Sequence, residues 1–257
     1  MPVSTTPSPS AVPATSTRSG AAPMFTTKPK PKPSTFACKV TMAVTGWLFA
    51  AFLAVHMIGN LKAYGGAEGY NVYSFWLRNA FYPLLPHEGL LWLLRVVLGV
   101  SLVLHVVASA ILWVRARRFR GRHRRRKYSA PGYKAFMART MPWTGIVILA
   151  FIVFHILDLT LGLAGPVQYQ AATATQSFAY ENTVASLARP LAGGFYLVTM
   201  LVIALHLMHG LWSTTTELGV TGLRARSVWL AVAYVLGIAV AVGNATLPVA
   251  VWTGVLA

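Results

Sequence analysis

Five stretches of the chain run almost without polar interruption for about 22 to 27 residues each, and the charged residues gather between them. An apolar run of about 20 residues is the length of helix that crosses the hydrocarbon core of a bilayer. The runs predict helices over about 40–61, 88–114, 141–163, 190–215 and 227–249. The expected fold class is all-α integral membrane with five transmembrane helices. With 56% hydrophobic and only 11% charged residues, the composition places the chain among polytopic membrane proteins and leaves no stretch for a soluble domain.

The charges then orient the helices. The second run passes directly into R-A-R-R-F-R-G-R-H-R-R-R-K at 115–127, and a dense Lys/Arg block beside a span marks the cytoplasmic side. Lys28, Lys30, Lys32 and Lys39 precede the first run, and Arg224 and Arg226 precede the fifth. Eighteen of the 22 basic residues fall in segments that one topology puts inside: N-terminus cytoplasmic, C-terminus outside. Orientation therefore explains the net charge of +17, and nucleic acid is not an expected partner. Residues 1–38, rich in Ser, Thr, Pro and Ala, cannot bury enough apolar surface to offset chain entropy and read as a disordered cytoplasmic tail. Residues 39–257 form the membrane domain. No apolar core precedes Val40, so the tail is not a typical secretory signal. A single cysteine, Cys38, excludes a disulfide framework and cysteine-ligated clusters, and without a C-x-x-C-H motif any haem would be held non-covalently.

The candidate chemistry lies in the histidines. His56, His105, His155 and His206 occupy the first four predicted helices at spacings of 49, 50 and 51 residues. With a rise of about 1.5 Å per residue, His56 and His155 sit about 10 Å from the outer edge, whereas His105 and His206 sit about 25 Å from it. The four therefore fall into two pairs at two depths. Facing imidazoles across a bundle core are the ligand set of a six-coordinate haem iron, suited to passing electrons, so the first four helices are expected to form a dihaem-binding bundle. Two such haems would stand about 15 Å apart along the membrane normal. A single histidine inside a membrane more often bonds a neighbouring helix or lines a proton path. Four at matched depths on consecutive helices favour metal ligation over that reading, because polar groups in hydrocarbon are costly. His209 lies on the same helical face as His206, and periodicity does not decide between them; depth matching to His105 slightly favours His206.

The order of these motifs resembles a known family, the cytochrome b membrane-anchor subunit of succinate:quinone oxidoreductases, of the kind with five helices and two haems. The resemblance covers about 41–252. It rests on H-M-I-G-N-L-K at 56–62, G-A-E-G-Y-N at 66–71, His105, His155, and H-L-M-H-G-L-W-S at 206–213. It implies two haem b groups, an outer one on His56 and His155 and an inner one on His105 and His206, with His206 the fourth-helix ligand. It also implies flavoprotein and iron–sulfur subunits on the cytoplasmic face, in the inner (plasma) membrane of a bacterium, and electrons passed to a membrane quinone, menaquinone. The glutamate that some fumarate-reducing members carry two residues before the fourth-helix histidine falls here at Ala204. By itself the chain has no flavin fingerprint, cluster cysteines or dicarboxylate site. The alternatives are a dihaem b subunit of a hydrogenase or formate dehydrogenase, and a haem-free transporter whose histidines handle protons.

Three other polar residues bear on that chemistry. Arg95 lies in the second helix at the depth of His56, where an unpaired guanidinium is expensive; its expected partners are a propionate of the outer haem or Asp158, the alternative being that it reaches to the outer interface. Glu88 and Asp158 are candidates for proton transfer at an outer quinone site, since quinone reduction takes up protons. Against that, Glu88 also suits an exposed helix start and Asp158 a structural pair with Arg95. An inner quinone site near His105, Trp113 or Trp212 is equally open.

Overall fold

The computed structural model describes residues 33–120, 132–165, 168–220 and 222–257, with backbone alone at 120, 133–135 and 138. The tail as far as residue 32 and the basic segment 121–131 lie outside the described residues. Among the described residues every regular element is helical. They are α1 (Thr35–Leu61), α2 (Gly66–Arg78), α3 (Gly89–Arg120), α4 (Gly132–His155), α5 (Ala179–Leu187), α6 (Pro190–Glu217) and α7 (Leu223–Trp252). A π-helical turn, Ile156–Thr160, continues α4. Five helices, α1, α3, α4, α6 and α7, are long and apolar enough to cross a membrane.

The helices overrun the apolar runs that predict them. Helix α1 starts at Thr35, where the Ser34 hydroxyl accepts from Ala37 N–H at 3.0 Å and caps the first turn. Helix α3 runs on to Arg120 and α4 already begins at Gly132, so part of the basic loop is helical. Hydropathy marks the slab that a helix crosses, and basic side chains at a cytoplasmic or lipid interface do not end a helix.

Helix α6 is the hub. The most apolar window of α6 is 44% buried by protein, against 6% for the windows of α3 and α4. Its buried residues form two adjacent stripes, Tyr196, Thr199, Ile203 and Leu207 on one and Met200, Ala204, Met208 and Leu211 on the other, so it packs on more than one side. Backbone contacts run from α3 to α1, from α1 to α6 and from α6 to α4, with α7 against both α6 and α1. Helices α3 and α4 are thus the outlying members, and α1 meets α4 through side chains.

Close approach of α6 and α7 depends on Gly237. A Cβ there would stand 3.2 Å from the Ala204 carbonyl oxygen and closer still to Met208. Gly237→Leu is expected to wedge the pair apart at a cost of about 1–3 kcal/mol, read as a lowered thermal midpoint of the detergent-solubilised protein. Asn60 and Asn244 tie α1 to α7 through an amide hydrogen bond of 2.9 Å.

One end of the bundle is closed by a cap of α2, α5 and the segment before α5. Asn71 Nδ2 donates to both carboxylate oxygens of Glu181 at 3.0 and 2.9 Å, and its Oδ1 accepts from Tyr180 N–H at 2.9 Å. Ser177 donates to Ser74 at 2.9 Å, and Trp252 Nε1 to the Leu187 carbonyl at 2.9 Å. Asn71 belongs to the G-A-E-G-Y-N stretch, whose side chains here serve to join the two short helices.

Candidate functional site

Helices α1 and α4 carry the same local sequence. T-M-x-x-T-G-x-x-x-x-A-F-x-x-x-H occurs at 41–56 and again at 140–155. Each copy places a Thr-Gly pair toward the basic end of the bundle and a histidine toward the cap, with an offset of 11 positions from Thr to His, about 16 Å along the axis. The antiparallel partners α3 and α6 bring His105 and His206 down to the level of those Thr-Gly pairs.

At that level the two copies make matching contacts. Thr45 Oγ1 stands 2.9 Å from His105 Nδ1, and Thr144 Oγ1 stands 2.9 Å from His206 Nδ1. Each hydroxyl has one proton, and each gives it to its own helix: Thr45 to the Thr41 carbonyl at 2.7 Å, Thr144 to the Met141 carbonyl at 3.0 Å. With the hydroxyl protons placed on those carbonyls, each histidine donates through Nδ1–H and keeps the Nε2 lone pair; the opposite tautomer reverses the Thr–His bond. The glycines lie beside the rings: a Cβ at Gly46 would stand 3.7 Å from His105 Cε1, and one at Gly145 would stand 3.6 Å from His206 Cε1, both ordinary contact distances. His206, rather than His209, is the ring bonded to Thr144 and seated against Gly145.

Nearer the cap, His56 and His155 meet. Their ring centroids are 5.9 Å apart with planes at 84°. Each is backed by the phenylalanine of its own copy, Phe52 stacking on His56 at 5.2 Å and Phe151 on His155 at 5.7 Å. His155 Nδ1 lies 3.2 Å from the Tyr196 hydroxyl, whose proton goes to Asp158 Oδ2 at 3.1 Å. By the same proton count, His155 donates through Nδ1–H and keeps its Nε2 lone pair.

The separation of His56 and His155 suits two imidazoles that share one metal ion. Metal–imidazole bonds of about 2.0 Å and a ring radius of about 1.2 Å put two trans ligands' centroids about 6.4 Å apart, close to the separation of His56 and His155. His155 is held in the tautomer that leaves Nε2 free, and Thr45 and Thr144 stand where they can hold His105 and His206 in the same one. No group of three or more His, Cys, Asp or Glu side chains converges among the described residues, and the histidine rings in direct contact are those of His56 and His155. Thr199, fully buried between Tyr196 and His206 on one face of α6, has a hydroxyl without a partner among the described residues. Such a group calls for a polar atom in the bundle interior.

The remaining candidates have other partners. Asp158 is fully buried and bonded to Arg189, Ser186 and Tyr196. Its ion pair is thus with Arg189, from the start of α6, and not with Arg95 as the sequence suggests. The π turn after His155 carries Asp158 toward α5 and α6, a rotation that regular helical periodicity does not foresee. Arg95 lies 3.4 Å from Glu88 and over the Trp92 ring at 4.9 Å. Glu88 is held by Arg78 as well: its carboxylate pairs with the Arg78 guanidinium, and its N–H donates to the Arg78 carbonyl at 2.6 Å. Glu88 has φ 59°, a left-handed conformation costly for this residue, and these contacts fasten it at the corner into α3. Two apolar grooves, one beside Tyr64, Leu197 and Val249 and the other beside Val228, Val232 and Leu236, include neither Glu88, Asp158 nor any histidine.

The sequence reading missed Thr45, Thr144, Tyr196 and Arg189. The repeat offset of 99 residues was the signal for the two threonines. Tyr196 stands ten residues before His206, as Arg95 stands ten before His105, so the two occupy equivalent positions near the cap. Compared with protein-family models, curated proteins and solved structures, the chain matches none.

Proposed function

We propose that this chain is the b-type cytochrome anchor of a membrane-bound succinate:quinone oxidoreductase, holding two haems b on His56 with His155 and on His105 with His206. The observation that carries the reading is the arrangement of the four histidines. They sit on four of the five spanning helices, at two levels, with Nδ1 of three of them within hydrogen-bond distance of hydroxyl oxygens. Haem bound there supplies one-electron transfer between its ferrous and ferric states. The chain's own part is to present the Nε2 lone pairs, fix the rings through Thr45, Thr144 and Tyr196, and surround the centre with apolar side chains that keep water out. Membrane topology in this reading puts the basic end in the cytoplasm, beside flavoprotein and iron–sulfur subunits, and the cap outside. The quinone, menaquinone in this reading, accepts the electrons.

The histidine geometry alone suits a dihaem subunit of a hydrogenase or formate dehydrogenase equally well; the succinate partner rests on the resemblance of the fragments at 56–71 and 206–213. Membranes containing the chain with its native partners are expected to show b-type absorbance reduced by succinate, with flavoprotein and iron–sulfur subunits co-purifying. Reduction by hydrogen or formate and not by succinate would contradict the proposed partner. Absence of b-type absorbance would contradict the haem reading and favour proton handling by the histidines.

A further inference from the structure

The groups behind the histidines are unequal. Neutral hydroxyls of Thr45 and Thr144, each bonded onward to a helix carbonyl, stand behind His105 and His206. Behind His155 stands a phenol whose proton points at a carboxylate: His155 Nδ1, Tyr196 hydroxyl and Asp158 Oδ2 form a continuous chain at 3.2 and 3.1 Å. Asp158 has no exposed surface, and Ser186 and Arg189 fix its orientation. The Tyr196 ring is itself wedged edge-on between Phe151 at 5.2 Å and Phe154 at 5.8 Å, so the hydroxyl has little freedom to leave.

We infer that Tyr196 and Asp158 are positioning residues that hold His155 and lend it anionic character, biasing the iron held by His56 and His155 toward its ferric state. The inference rests on the haem reading above. A carboxylate that polarises a phenol, which in turn accepts the Nδ1 proton, draws that proton outward and makes Nε2 a stronger electron donor. A stronger donor stabilises the higher charge on iron, so second-layer hydrogen bonding adjusts the reduction potential. Arg189 partly offsets the Asp158 charge but lies on its far side, at Oδ1, whereas Tyr196 bonds Oδ2. The equivalent position on α3 is Arg95, which turns instead to Glu88, so the device belongs to one ligand of the pair.

The test is a potentiometric titration of the full chain in membranes, monitored at the b-type bands, with Tyr196→Phe and Asp158→Asn. The wave belonging to His56 and His155 is identified as the one lost in His56→Ala. Tyr196→Phe keeps the ring between Phe151 and Phe154 and removes only the hydroxyl. Both variants are expected to keep two haems and to shift that wave three- to tenfold toward reduction at a given potential, tenfold being 59 mV for one electron. The other wave should stay in place. Thr144→Val, which touches only His206, should leave the His56–His155 wave unmoved. Two haems retained with that wave unshifted in both variants would overturn the inference, as would a shift of both waves together. Wild-type protein lacking haem would overturn the function reading on which the inference depends.

Discussion

His56→Ala is expected to lower the haem content of the purified chain from two per chain to one, with His155→Ala giving the same result and the same surviving band. The two rings sit 5.9 Å apart between helices whose backbones do not pack extensively, and in the proposed function they share one iron. In that reading, losing either ring leaves one imidazole to hold the group, and a haem without covalent attachment would then dissociate. His105→Ala and His206→Ala should remove the other haem and spare the first, because the two sets are separated by the 11-residue interval between Thr and His in each repeat. His209→Ala should retain both, since Thr144 and Gly145 support His206. Pyridine haemochrome quantitation against protein reads all five variants. A chain that loses both haems on any single substitution, or loses the His56 haem on His206→Ala, would refute the assignment of pairs.

Arg189→Ala is expected to destabilise the protein more than Asp158→Ala. The Asp158 side chain has no exposed surface, while that of Arg189 is 34% exposed at the edge of the cap. Removing the guanidinium leaves a buried carboxylate with only Ser186 and Tyr196 as donors, and an uncompensated buried charge costs about 3–5 kcal/mol. Removing the carboxylate leaves a partly exposed guanidinium that already bonds the Ala164 and Ser186 carbonyls at 2.8 and 3.3 Å. The double substitution should therefore be more stable than Arg189→Ala alone. Thermal midpoints of the three variants in one detergent measure this order; Asp158→Ala falling below Arg189→Ala would contradict it.

The five spans were legible because each is a long apolar run, and residue types alone decide whether a segment can lie in hydrocarbon. Helices α2 and α5 were not, since Gly66–Arg78 and Ala179–Leu187 are short and their apolar side chains are mixed with Asn71, Ser74, Glu181 and Asn182. Asn71 joins them through hydrogen bonds to Glu181 and the Tyr180 N–H, partners that no local pattern displays. The meeting of His56 with His155 follows from depth, because rise per residue fixes height in antiparallel helices. Height says nothing of what lies beside a ring at the same level. Thr45, Thr144 and Tyr196 lie on neighbouring helices, 60, 62 and 41 residues from the histidines they support, and only packing brings them together. Asp158 was readable as a buried acid one turn beyond His155; its partner was not, since a π turn redirects it.

Density for the purified full-length chain is the most direct test of the account. Two flat macrocycles are predicted inside the helix bundle, one gripped by the imidazoles of residues 56 and 155 near the cap and one by those of residues 105 and 206 near the basic end. Side chains of these histidines facing lipid, or a bundle interior filled by protein alone, would contradict it.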